Sequence, residues 1–88
     1  MLESKIQSKI INKLTANGWL VVKLIKTNLN GIPDLLALKN NKAIFIEVKA
    51  EKGRLSEIQK YRINQLQSMG FDVHVLKSTE NLETICIV

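Results

Sequence analysis

An 88-residue chain with 45% hydrophobic residues, one cysteine and a formal net charge of +5 has the length of one domain with one core, a size at which a second copy often adds needed burial. It excludes a disulfide framework and a zinc motif, and no apolar run approaches the roughly 20 residues a membrane-crossing helix needs. The excess of Lys and Arg favours a polyanionic partner, nucleic acid first, because each phosphate neutralised releases condensed counterions, although the same excess also serves solubility.

Charged and apolar residues alternate at the N-terminus, which offers no signal-peptide core, so a soluble cytoplasmic protein is expected. From Glu3 to Asn17 the residues Ile6, Ile10, Ile11 and Leu14 recur at helical spacing, and Gly18 stands where a left-handed C-terminal cap belongs. Trp19 opens a strand that continues through Lys26, and residues 27–31 read as a loop leading to a second strand after Pro33 and Asp34. Asn40-Asn41 is the strong turn signal between two apolar runs, since Asn tolerates the positive φ that tight hairpins demand. Residues 50–55 form a charged loop containing Gly53. Ser56-Glu57-Ile58-Gln59 then matches a capping box and opens a helix that ends before Gly70, with Ile58, Tyr61, Arg62, Leu66 and Met69 on one face. Residues 71–76 alternate as a strand, Ser78-Thr79 can cap a short helical turn through Leu82, and residues 85–88 close the chain as a short strand in which Cys86 packs as a small apolar group. The order αβββαβ predicts an α/β fold, a central mixed sheet flanked by helices with a right-handed crossover between the third and fourth strands. With no internal repeat, linker or low-complexity stretch, residues 1–88 read as a single domain.

The hairpin places charges. If Asn40 and Asn41 form the loop, cross-strand partners have numbers that add up to 81, so Leu36 faces Phe45 and Asp34 faces Glu47. Paired residues have Cβ atoms about 4.5–5.5 Å apart, a separation at which two carboxylates repel unless a cation lies between them. Lys49 follows Glu47 by two positions and shares its face. A register shifted by one residue would put the two acids on opposite faces. Leu36, Leu38, Ala43 and Phe45 lie on the charged face and Leu35, Ala37, Ile44, Ile46 and Val48 on the other, so both faces are expected to be buried. Phosphodiester hydrolysis needs an activated water and a cation to offset charge on the phosphate oxygens. Asp34 and Glu47 are the candidate ligands for Mg²⁺, the backbone carbonyl of Val48 a third, and Lys49 the candidate catalytic ammonium, kept charged by the carboxylates beside it.

These residues meet a known pattern. Gly31-Ile32-Pro33-Asp34, then Glu47-Val48-Lys49, then Gln59 ten residues further on resembles the VRR-NUC nucleases of the PD-(D/E)XK superfamily. Gly53 also falls in place, Glu3 takes the position of the family's N-terminal acidic residue, and the likeness spans nearly the whole chain. The resemblance implies a PD-(D/E)XK core and a Mg²⁺- or Mn²⁺-dependent DNA endonuclease of the stand-alone phage or bacterial type, working in the bacterial cell or phage-infected host. Asp34 and Glu47 would bind metal, Lys49 and Gln59 would be catalytic and Glu3 an outer or second-metal ligand. A homodimer, with or without exchange of elements between chains, and a branched, flap or Holliday-junction substrate in replication, repair or recombination follow from the same likeness.

Simpler roles exist for several of these residues. The capping box accounts for Gln59 without catalysis, and an acid in the first turn of a helix gains from the helix dipole, which accounts for Glu3. Lys23, Lys26, Lys52, Arg54, Lys60 and Arg62 could line a DNA-binding groove leading to the metal, or stand as separate solvated charges. The alternative function is a nucleic-acid-binding module that keeps the fold and basic surface without cutting.

Overall fold

The computed structural model describes residues 2–80 and Leu82; Cys86 and the expected closing strand at 85–88 lie outside the described residues. Its elements are α1 (Glu3–Ala16), β1 (Leu20–Lys23), β2 (Leu35–Lys39), β3 (Lys42–Val48), α2 (Glu57–Ser68) and β4 (Asp72–Leu76). The strands lie in the order β1-β2-β3-β4. The first two pairs are antiparallel and β3 pairs with β4 in parallel, which requires a crossover that α2 supplies. The αβββαβ order and the mixed sheet are those expected from the sequence.

Asn40 and Asn41 have φ of 49° and 66°, the two left-handed residues of a type I′ turn, whose twist matches that of the strands it joins. Leu35 consequently pairs with Ile46, Leu36 with Phe45 and Lys39 with Lys42, the predicted register. Ile6, Ile10 and Leu14 of α1 are buried in one cluster with Trp19, Leu35, Ala37, Ile44, Ile46, Val48 and Leu76. α1 therefore covers one face of the sheet, and the chain leaves it through Gly18 at φ 91° with the Trp19 N–H returning to the Leu14 carbonyl at 3.0 Å.

Three expectations need correction. The first strand ends at Lys23 rather than Lys26, because its partner begins at Leu35 after Pro33, which has no N–H to donate; Leu24 adds one last bond, to the Asp34 carbonyl at 2.8 Å. The two sheet faces are not equally covered. Leu35, Ala37, Ile44, Ile46 and Val48 are at most 5% exposed, whereas Leu36, Leu38, Ala43 and Phe45 are only half-buried. α2 buries Ile63 and leaves Ile58, Tyr61 and Met69 exposed, because it meets the loop before β2 through backbone. A Cβ on Gly31, at φ +80°, would stand 2.6 Å from the Ile58 carbonyl oxygen, and Arg62 Nε donates to the Asn30 carbonyl at 3.0 Å.

Candidate active site

Asp34 stands one residue before β2, where the register of the hairpin carries it opposite Glu47 on β3. Its main chain is held by Leu24, and its side chain by the Val48 N–H, which donates to Oδ2 at 2.8 Å. A charged acceptor makes this bond stronger than a neutral one. Glu47 is 2% exposed and its Oε2 accepts from Gln59 Nε2 at 3.3 Å and faces Lys49 Nζ at 3.5 Å. Asp34, Glu47, Lys49 and Gln59 are thus brought together from the end of one hairpin and the first turn of α2.

Burial is the largest influence on Glu47. It pushes the carboxyl up to about 7 from its usual 4.5; the Asp34 charge and a hydrogen bond with the Asp34 side chain push the same way, and Lys49 opposes both. Two carboxyl groups face each other in a buried site where ionising both is costly, and a cation placed between them would relieve that cost. That donor set, hard oxygens on facing strands, fits Mg²⁺ or Mn²⁺, with the Val48 carbonyl next in the chain as a third donor. Glu3 is exposed in the first turn of α1. No group of three or more His, Cys, Asp or Glu placed to hold a metal occurs among the described residues, so Glu3 is not drawn in beside the other two acids.

Gln59 completes the cap and also reaches Glu47. Its N–H donates to Ser56 Oγ at 3.2 Å and its Oε1 accepts from the Ser56 N–H at 2.9 Å, completing the capping box, while its Nε2 remains for Glu47. A side chain amide has both a donor and an acceptor end, so the cap aims the donor at the acid.

The basic residues divide. Lys23, Lys26, Lys52 and Arg54 are exposed, Lys60 pairs with Glu57 at 3.4 Å, and the Arg62 guanidinium is tied to Asn30 and to Gln65 at 2.8 Å and lies 5.4 Å from the Tyr61 ring. Arg54 and Lys60 line an open cavity of about 350 Å³ with Lys49. Lys77 lines it too, a residue that reading the sequence missed because its place depends on the parallel register of β4.

The chain is similar to known proteins over most of its length. The family model of the VRR-NUC domain matches residues 2–80. The protein called "Putative nuclease p44" of Acyrthosiphon pisum secondary endosymbiont phage 1 is 30% identical over 79 residues, which cover 89% of this chain and 85% of that protein. A solved structure described as a VRR_NUC domain superposes with a TM-score of 0.84 at 28% identity, covering 94% of this chain and 91% of the other.

Proposed function

Because the chain belongs to the VRR-NUC domain family, we propose that this nuclease is a metal-dependent DNA endonuclease whose reacting centre is Asp34, Glu47 and Lys49. The observation that carries this reading is the pairing of a buried Glu47 with Asp34 across the hairpin, with the Lys49 ammonium 3.5 Å from Glu47 Oε2. Asp34, Glu47 and the Val48 carbonyl would hold Mg²⁺ or Mn²⁺, which would supply a Lewis acid to offset charge on the phosphate and activate water.

The protein's own groups do the rest. The Val48 N–H fixes Asp34 Oδ2, which holds the carboxylate in one orientation. Glu47 surrenders the proton it holds up to about pH 7 when it acts as a ligand, and Gln59 Nε2 keeps its Oε2 in place. Lys49 brings its ammonium beside the attacking oxygen and the phosphate, where it stabilises charge that builds in the transition state.

The half-covered sheet face supports a homodimer. Leu20 is 64% and Val22 40% exposed there, register partners of the half-buried Leu38 and Leu36, and a second copy laid on this face, with or without exchanged elements, would bury them. Two symmetric sites suit a branched, flap or junction substrate. No helix among the described residues is long and apolar enough to cross a membrane, and the matched relative belongs to a phage, which suits work on DNA in the bacterial cytoplasm.

The test is cleavage of a labelled panel of single-stranded, duplex, flap, supercoiled and four-way-junction DNA with Mg²⁺, Mn²⁺ or EDTA, for the parent, Asp34→Asn and Lys49→Ala. Metal-dependent cutting lost in both variants is expected. Binding without cutting by the parent in either metal would replace the nuclease with the binding module.

A further inference from the structure

The parallel pairing of β3 and β4 places a second lysine beside Lys49. Glu47 pairs with Val75 and Val48 with Leu76, and the Lys49 N–H continues the ladder to the Leu76 carbonyl at 3.0 Å, so Lys77 is the next register partner, opposite Lys49. Lys77 follows Val75 by two positions and shares its sheet face, the face of Glu47. Neighbouring strands are about 4.8 Å apart, so the two lysines leave the sheet side by side and their charges reach the same cavity.

Lys49 has Glu47 as its counter-ion, while among the described residues neither Lys77 nor Arg54 forms an ion pair. Both line the cavity of about 350 Å³ that opens beside Lys49, together with Lys60, Leu55 and Val75, and no acid among the described residues lines it. The turn that closes with Gly53 N–H on the Ala50 carbonyl at 2.8 Å leads the chain back so that Arg54 reaches this cavity. Lys60 is bound there only by its pair with Glu57, whose side chain is 93% exposed, an arrangement worth too little to prevent exchange for a stronger anion. A larger cavity of about 410 Å³ also touches Lys77, but Glu51 and Glu80 line it beside Lys9, and it offers no such excess of positive charge.

We infer that Lys77, with Arg54 and Lys60, forms a phosphate-binding subsite that grips the DNA backbone next to the phosphate cut at Asp34 and Glu47. The subsite deepens the nuclease reading and rests on it for its ligand. A backbone phosphate fits where a diffusible anion does not suffice, because the cavity opens directly onto Lys49 and a polymer threaded past the reacting centre delivers its neighbouring phosphate there.

The experiment measures binding of a labelled duplex by fluorescence anisotropy between 50 and 200 mM salt, in the Asp34→Asn background so that nothing is cut. Lys77→Ala is expected to weaken binding several-fold and to lower the slope of log K against log salt by about 1, the loss of one phosphate contact. Lys77→Arg should restore the slope. Lys42→Ala, at the hairpin end of β3, is the control for charge alone. A slope unchanged in Lys77→Ala, or one lowered equally by Lys42→Ala, overturns the subsite. Cutting that requires Asp34 in a protein whose salt slope ignores Lys77 sinks the subsite and spares the nuclease. A Lys77-dependent slope in a protein that cuts no DNA does the reverse.

Discussion

Replacing Glu47 by Gln should make the metal-free protein more stable at pH 8, and the size of the gain follows from where the carboxyl sits. Its folded value of about 7 lies above its usual 4.5, so the folded chain holds this proton more tightly than the unfolded chain does. Below about pH 4.5 both states are protonated and Glu47 costs nothing. Between 4.5 and 7 the unfolded chain has lost the proton while the folded chain keeps it, and stability falls as pH rises. Above 7 both are ionised and the full penalty stands, about 3 kcal/mol for that gap; at 2% exposure solvent screens little of it. Gln removes the charge but keeps an acceptor for Gln59 Nε2, so the contact at 3.3 Å survives the change. In urea unfolding with EDTA, the advantage of Glu47→Gln over the parent should widen by about 2 to 3 kcal/mol between pH 5 and pH 8, and thermal midpoints should separate by about 4–8 °C for each kcal/mol. Parallel pH profiles for the two proteins would mean that Glu47 ionises like an exposed acid, and the buried carboxyl pair would have to be given up.

Asp34→Asn takes away the neighbouring charge but not the burial, so the same titration should show a smaller fall in stability with pH that does not vanish, since burial is the larger cause. Lys49→Ala removes the group that holds the Glu47 carboxyl down; the fall in stability should extend above pH 7, and cutting under single-turnover conditions should slow by about 10²- to 10³-fold. Gly31→Ala puts a Cβ 2.6 Å from the Ile58 carbonyl oxygen at φ +80° and should cost about 1–3 kcal/mol in urea unfolding, with the Glu47 pH dependence weakened if α2 and Gln59 are pushed away from the hairpin. If Glu47 is a ligand for Mg²⁺, as proposed, the ion competes with its proton, and calorimetric affinity for the ion should fall by up to about tenfold per pH unit below 7 and level off above it.

The hairpin could be read from sequence because everything that defines it is local. Two residues able to hold positive φ close the turn, side chains alternate with a period of two, and from these the facing of Asp34 and Glu47 is arithmetic. Gln59 was visible for a related reason, since a capping box spans four residues. What escaped depended on distant partners. The end of β1 is set by where β2 begins, not by the apolar character of Leu24 and Ile25. The inward face of α2 is set by the approach of Gly31 to its first turn, which let Ile63 be buried and left Tyr61 and Met69 outside. The bond from the Arg62 guanidinium to the Asn30 carbonyl joins residues 32 positions apart, a pairing that no local pattern announces. Lys77 needed the offset between β3 and β4, and no periodicity encodes the offset of two strands joined through a helix.

The register that faces Asp34 with Glu47 is held twice over, and the two devices differ in strength. The Asn40-Asn41 turn lies six residues from Asp34, about 20 Å along the strand, and its preference for this pairing rests on two residues that tolerate positive φ. The second device is the face made by Leu35, Ala37, Ile44, Ile46 and Val48. A slip of β3 by one residue would turn Ile44, Ile46 and Val48 off α1 and bring Phe45 and the charged Glu47 toward it, at about 1.5–3 kcal/mol for each large side chain moved into water. That sum exceeds both the turn preference and the penalty of about 3 kcal/mol for ionising Glu47 in its buried position. The core can therefore hold two carboxyl groups against each other despite their repulsion, and the unequal covering of the sheet explains how. The fully buried face supplies the hold, while the half-covered face leaves the charges within reach of a phosphate.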